Sequence, residues 1–371
     1  MADRAVAGRR IGLLLATTAG GTGRHAAAVV DAVVAAGADV VVAGPAATES
    51  TFEFSSRGAR FRVVEIATGL DPIADVAAWR VARGVLADRE VVHAHGLRAG
   101  LVASAATPRS AGLVITWHNA VLAGGRSRRV LGLAERRVAR RAAVTLCVSP
   151  DLVERVRELG GRDVRLAPVG SRAVPASGRA PADLRSDLGV EPGESLVLAI
   201  GRLHAQKGFD LLVRAAADLA AARDLTPRFV IAGDGPDRAA LADAIALSGA
   251  PVDLLGWRSD TADLLAAADL VVMPSRWEGS PLSAHETLLA GRPLVATAVG
   301  GLPDLLGGGA ARLIPPEDPA AIAAAVGDLL ADDIERNALA ERGRRRGLEW
   351  PDADTAARRV VDVYAELLGR R

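Results

Sequence analysis

An α/β protein of two doubly wound domains is predicted from three observations. Short apolar runs alternate with longer Ala/Leu/Arg helical stretches, the series restarts near residue 190, and a Pro/Gly-rich break separates the two series. The 371 residues are too many for one ordinary α/β domain and suit two. Half are hydrophobic and only 3% aromatic, so the cores must be built from Ala, Val, Leu and Ile, as in buried parallel sheets.

In the first series, strands are expected at 11–16, 39–44, 62–66, 90–94, 112–117 and 143–148, and helices at 22–36, 97–106 and 127–141. In the second, strands are expected at 195–200, 228–232, 251–255, 270–274, 293–297 and 310–314, with helices at 208–222, 236–247 and 318–331. Residues 168–193 break the rhythm with four prolines and four glycines, and Pro175–Pro181 reads as the core of a linker. The domains are therefore drawn at 1–172 and 191–350, joined by 173–190. An amphipathic tail helix over 352–368 follows Trp350-Pro351 and is expected to return to the N-terminal domain.

The formal charge of +1 gives no global case for nucleic-acid binding. A single cysteine, Cys147, cannot form an internal disulfide, which fits a reducing cytoplasm. No apolar run approaches the ~18 residues of a membrane span. The start, Arg9-Arg10 then Ile11 to Ala16, reads as a first buried strand rather than a signal peptide, because polar Thr17-Thr18 and glycines follow at once.

The basic residues are 44 Arg and one Lys, Lys207, and there is one Gln, Gln206. This bias suits a GC-rich, bacterial genome that replaces Lys by Arg wherever either serves. A lysine that survives such drift marks a place where a compact ammonium is needed.

In open parallel sheets, ligands sit beyond the carboxyl ends of strands. Gly201-Arg202-Leu203-His204-Ala205-Gln206-Lys207-Gly208 lies there, after one expected strand and before a helix. Two cations five residues apart suit a diphosphate, Arg202 as a fork and Lys207 as a point charge. Pro274 to Leu282 follows a second strand, with Ser280 as a helix N-cap and Pro281 as the first helical residue. Backbone N–H groups at Gly279, Ser280 and Leu282 make an anion site there. Glu278 precedes that helix and Glu286 lies two turns into it; carboxylates accept paired hydrogen bonds from vicinal hydroxyls.

The E-x7-E spacing of Glu278 and Glu286, the Ser275-Arg-Trp-Glu-Gly279 run before it and Gly300-Gly-Leu-Pro-Asp304 after it resemble the donor site of retaining GT-B enzymes of glycosyltransferase family 4. Ala232-Gly-Asp-Gly-Pro236 and Leu255-Gly256-Trp257 are similar to two further signatures, and the resemblance covers nearly the whole chain. It implies the GT-B architecture, two Rossmann-like domains facing a central cleft. It further implies transfer of a hexose or N-acetylhexosamine from a UDP- or GDP-type sugar with retention of configuration, needing no metal or other cofactor. Carried over by residue, Arg202 and Lys207 hold the diphosphate, Glu278 the donor sugar, Glu286 the ribose, and Trp257-Arg258 lie near the base. Gly20 and Gly21 match the first-loop glycines. His118 matches a donor-contacting histidine near the sugar–phosphate junction. His25, His93, His95, Asn119 and Ser149 stand as acceptor-side candidates, with Ser149 also a helix cap.

Other readings share parts of this pattern. Gly21-Thr-Gly23-Arg-His-Ala26 fits the dinucleotide fingerprint formally, but no acid ends the second strand to hold a ribose. An NAD-dependent oxidoreductase also leaves Lys207 and both glutamates unused. A nucleotide-sugar epimerase or a non-catalytic nucleotide-sugar binder on the same fold stays open. Asp352-Ala-Asp354 has a metal-binding D-x-D form but reads as a helix start. Arginines at 126, 128, 129, 136, 137, 140 and 141 surround an apolar stripe. Such a helix can meet anionic lipid at the inner membrane face or a phosphorylated acceptor, or can be a solvated face.

Overall fold

The computed structural model describes residues 2–18, 20–67, 69, 71–120, 125–172, 176–222 and 227–370, with the backbone alone at 72 and 125–130. The chain divides into two compact units, Met1–Gly170 with Pro351–Arg371, and Ser171–Trp350.

The first unit holds seven strands: β1 Arg10–Leu15, β2 Asp39–Gly44, β3 Arg60–Val63, β4 Val91–His95, β5 Gly112–Trp117, β6 Val144–Cys147 and β7 Val164–Leu166. All pairings are parallel, in the order β3-β2-β1-β4-β5-β6-β7. The central strands are buried on both faces, which explains their unbroken apolar runs. Its helices are α1 Ala2–Val6, α2 Gly21–Ala35, α3 Ala46–Phe52, α4 Pro72–Val85, α5 Gly96–Ala106, α6 Gly125–Arg141 and α7 Pro150–Glu158.

The second unit holds α8 Pro181–Asp187, β8 Leu196–Ile200, α9 Phe209–Ala222, β9 Arg228–Ala232, α10 Arg238–Ser248, β10 Val252–Gly256, α11 Thr261–Ala267, β11 Leu270–Met273, α12 Leu282–Leu289, β12 Leu294–Thr297, α13 Leu302–Leu305, β13 Arg312–Ile314, α14 Pro319–Ala331 and α15 Asp333–Glu349. Its six strands are parallel in the order β10-β9-β8-β11-β12-β13. The final helix, α16 Ala353–Gly369, packs Val360, Tyr364 and Leu367 into the core of the first unit.

In both sheets the strand order switches direction at the first strand, at β1/β4 and β8/β11. A crevice opens at the carboxyl side of such a switch point. Two differences from the sequence reading have physical causes. The stretch 173–190 carries α8, whose Leu184 is buried in the second unit's core, so it is more than a linker. The strand expected at 62–66 runs Arg60–Val63 at the sheet edge, where burial does not mark its ends. As expected, Asp352 caps α16, its Oδ1 accepting from the Thr355 N–H at 2.7 Å, so the D-x-D is a helix start. No helix among the described residues is long and apolar enough to cross a membrane.

Candidate functional site

In the second unit, the loops leaving β8 and β11 meet at the switch point. The β8 loop turns through a short 3₁₀ segment, Ala205–Lys207, and ends at Gly208 with φ 65°. A Cβ at Gly208 would lie 2.1 Å from the Pro274 carbonyl oxygen, so close approach of the two loops requires glycine there. Gln206 laces them together: its carbonyl accepts from the Arg276 N–H at 2.8 Å, and its side-chain amide donates to the Trp277 carbonyl at 3.0 Å. On the other side, the Gly233 backbone packs against Gly201, where a Cβ would come within 1.8 Å of the carbonyl oxygen.

These contacts bring Lys207 onto Glu278, Nζ to Oε1 at 2.5 Å. The Ser275 hydroxyl donates to the same oxygen at 2.7 Å. Glu278 is 5% exposed, whereas the Lys207 side chain keeps 21% of its surface. The lysine is thus the face of the pair that a ligand can reach. Arg202 is exposed, and among the described residues it makes no ion pair. Behind Glu278, its carbonyl accepts from the Gly301 N–H at 2.9 Å, with Gly300 at φ 53° admitting the close approach.

The helix start expected at Ser280-Pro281 lies one residue later. Pro281 occupies the N-cap position and Leu282 opens α12, because the Pro281 carbonyl is the first to accept from the helix. Proline has no hydroxyl, and Pro281 itself makes no side-chain cap hydrogen bond. The first-turn N–H groups of a helix have no partner within the helix itself. Gly279, Ser280, Pro281 and Leu282 are all buried. Two turns on, Glu286 is 9% exposed and lines a cavity of about 230 Å³ with Thr261, Leu265 and Leu289. Its Oε1 accepts from the Ser171 hydroxyl at 2.7 Å. The Ser171 N–H donates to His285 Nδ1 at 2.9 Å, which leaves His285 Nε2–H to donate to the Gly347 carbonyl at 2.9 Å. Trp257 stands 76% exposed beyond β10, while Arg258 is forked onto the Asp260 carboxylate at 2.8 and 2.5 Å.

In the first unit, Gly20 precedes α2 with φ 65°, and Gly21 is the first helical residue. A Cβ at Gly23 would enter the Phe52 ring. Four buried imidazoles gather near the β1/β4 switch point. His95 Nδ1 and His118 Nε2 are 3.1 Å apart, the His25 ring lies edge-on to both, and the His93 ring is 4.2 Å from that of His95. Burial holds His25 down to about 4, and burial followed by the His25 charge holds His93 down to about 3. Burial also keeps His95 and His118 well below the ordinary imidazole value. All four are therefore neutral near pH 7. His118 retains 8% exposure and Asn119 beside it is exposed.

Two acceptor-side candidates are corrected. His93 is fully enclosed, with Tyr364 Oη at 2.6 Å from Nδ1 and Thr116 Oγ1 at 2.7 Å from Nε2, so both ring nitrogens are spent inside the core. Ser149 is also fully buried; it sits at the N-cap position of α7, but its hydroxyl donates to Asp151 at 2.5 Å instead of capping the backbone. Of the basic run, the side chains of Arg126, Arg128 and Arg129 lie outside the described residues. The sequence reading missed Ser171, Ser275, His285 and Tyr364. Tyr364 carried a signal, being the chain's single tyrosine; the serines carried none. Among the described residues, no group of three or more His, Cys, Asp or Glu is arranged to hold a metal ion.

Two family models match: "Glycosyl transferase 4-like domain" over residues 20–171 and "Glycosyl transferases group 1" over residues 194–332. The chain is 33% identical to the D-inositol 3-phosphate glycosyltransferase of Xylanimonas cellulosilytica over 76% of this chain and 73% of that protein. With several other relatives the match spans half of their length or less. It covers 41% of the MMP alpha-(1->4)-mannosyltransferase of Mycolicibacterium hassiacum, at 33% identity over 44% of this chain. The Anabaena HepE structure in complex with UDP and glucose superposes with a TM-score of 0.83 at 19% identity, covering 96% of this chain and all of that one. Matching models on both halves and a relative aligned along most of the chain make this protein a member of the group 1 glycosyl transferases, built on the GT-B fold.

Proposed function

We propose that the protein is a retaining glycosyltransferase that moves a hexose or N-acetylhexosamine from a nucleoside-diphosphate sugar to a hydroxyl acceptor without a metal ion. The observation that carries this reading is the Lys207–Glu278 pair at the switch point, ahead of the start of α12 and two turns from Glu286. A cation, an anion-attracting helix end and two carboxylates in that sequence suit a ligand with phosphates flanked by two polyols. The UDP and glucose bound in HepE support a nucleotide donor.

In this mechanism the acceptor oxygen forms its bond to the anomeric carbon on the face from which the bond to phosphate breaks. The acceptor proton passes to a phosphate oxygen. The diphosphate leaves with its charge met by Arg202 as a fork, Lys207 as a point charge and the first-turn N–H groups of α12. Glu278 takes hydroxyls of the donor sugar, Glu286 those of the ribose, and neutral His118 donates near the sugar–phosphate junction.

A thermal-shift panel of UDP, GDP, dTDP, ADP and NAD with EDTA, on the wild type and Glu286→Ala, tests the donor site. Ligand at ~100 times its dissociation constant stabilises by about 2.7 kcal/mol. A shift with one nucleoside diphosphate that survives EDTA and is lost in the variant is expected. A shift with NAD alone overturns the reading. Once a turnover pair is found, the anomeric coupling of the first-formed product by NMR decides retention.

A further inference from the structure

The first unit contains a second feature that the transfer reaction does not use. Between the C-terminal ends of α4, α5 and α6 lies a cavity of about 970 Å³. Among the described residues, its walls carry Arg83, Arg109, Arg137, Arg140 and Arg141 and no carboxylate. Among the described residues, none of the five makes an ion pair. Other arginines do meet carboxylates, as in Arg57–Asp31, Arg98–Asp75 and Arg276–Asp210. In a chain with 45 basic and 44 acidic residues overall, five guanidiniums around one cavity concentrate positive charge there.

Helix dipoles account for part of this charge. Three helix C-termini bring roughly half a negative charge each, about −1.5 in all, so about +3.5 remains uncompensated. The walls are fixed rather than splayed. Arg141 donates to the Thr107 carbonyl at 3.1 Å, and the Arg83 guanidinium lies 5.8 Å from the centre of the Trp79 ring. Burial first, then the charges of Arg109 and Arg137, press the Arg141 guanidinium below its ordinary value. Two wall residues also leave buried polar atoms without a partner, Trp79 Nε1 and Thr107 Oγ1. The position is remote from the four histidines: α5 starts beside His95 and its eleven residues carry the chain about 16 Å back toward the amino ends of the strands.

We infer that this cavity is a binding site for a phosphoryl-bearing anion, separate from the donor site. Forked guanidiniums match phosphate oxygens in pairs, and several phosphoryl oxygens are needed to meet this much charge. The anion is either free in solution or the headgroup of an anionic lipid, and the same residues recognise both.

The test is calorimetric titration of inorganic pyrophosphate into full-length Arg202→Ala/Lys207→Ala protein, in which the donor site is silenced. Saturable binding is expected, weakened at least about tenfold when Arg137→Ser and Arg140→Ser are added. Both side chains are exposed, so these variants keep their melting temperature; Arg109→Glu, also exposed, serves as an independent charge reversal. Flotation with phosphatidylglycerol and phosphatidylcholine vesicles separates the sources. A lipid headgroup gives capture on the anionic vesicles alone, displaced by pyrophosphate and lost in the arginine variants. A free anion gives pyrophosphate binding with no vesicle capture. Absence of pyrophosphate binding, or binding unchanged by the arginine substitutions, overturns the inference whatever the vesicles do.

Discussion

The buried imidazoles of the first unit make its stability depend on pH in a window where few other groups titrate. His25 and His93 have folded values of about 4 and about 3 against an ordinary 6.5. A folded value below the unfolded one means that the unfolded chain takes up protons first. Stability is therefore unaffected above pH 6.5, falls below it, and stops falling once pH passes the folded values. At about pH 5 the unfolded state gains about 2 kcal/mol from each histidine, so the two together cost about 4 kcal/mol. That is a large share of a typical stability of 5–15 kcal/mol. Carboxylates with unfolded values near 4 contribute little above about pH 5. The assay is urea unfolding followed by near-UV circular dichroism at pH 7, 6 and 5, on the wild type and His25→Phe. His25 has ring contacts but no hydrogen bond among the described residues, so the phenyl ring keeps the edge-on packing and removes the titration. The variant is expected to lose about 2 kcal/mol less than the wild type between pH 7 and pH 5. Equal losses, or a wild type with constant stability from pH 6.5 to 5, would refute the burial argument.

Further outcomes follow from the same contacts. Lys207→Ala should abolish transfer in a coupled nucleotide-release assay and lower the melting temperature more than Lys207→Ala/Glu278→Gln, because the single variant leaves a buried carboxylate without its cation. Gly208→Ala should destabilise by more than ~1 kcal/mol in chemical unfolding, since the residue has φ 65° and its Cβ would strike the Pro274 carbonyl. Tyr364→Phe strips the partner from His93 Nδ1 and should cost about 1–3 kcal/mol in the same assay, although the phenyl ring fills the space. Ser171→Ala removes the hydroxyl that Glu286 accepts from, and should raise KM for the donor with a smaller change in kcat.

The alternation of apolar and helical stretches revealed both sheets because parallel strands buried on two faces carry their signature in unbroken Val, Leu and Ile. Where burial is weak the signal fades. β7, with its residues half-exposed or exposed, passed unrecognised, and so did α15. That helix is polar on most of its surface and buries only Leu339, Gly343 and Gly347. Its glycines read as helix breakers, yet they are what let it lie against α12, where a Cβ at Gly347 would come within 2.9 Å of the Leu288 Cβ. Proximity to a specific neighbour, not propensity, decides such a helix, and a single sequence does not display the neighbour.

The same distinction governs the candidate site. Lys207 and Glu278 are 71 residues apart and their meeting could not be read from spacing. What could be read is rarity. In a chain that otherwise uses arginine for every cation, the lone lysine sets a compact ammonium 2.5 Å from Glu278, its stem passing the loop at Gly201. The lone glutamine holds the β8 and β11 loops together through both its backbone and its side chain. The lone tyrosine anchors α16 to β4 through His93. Each is a place where one hydrogen-bonding shape is required and the favoured substitute has the wrong one. The serines at 171 and 275 perform comparable tasks, but serine is abundant in this chain, and abundance hides them. Compositional drift therefore acts as a filter on sites that need a particular donor, and it reports only on residue types that the drift has otherwise removed.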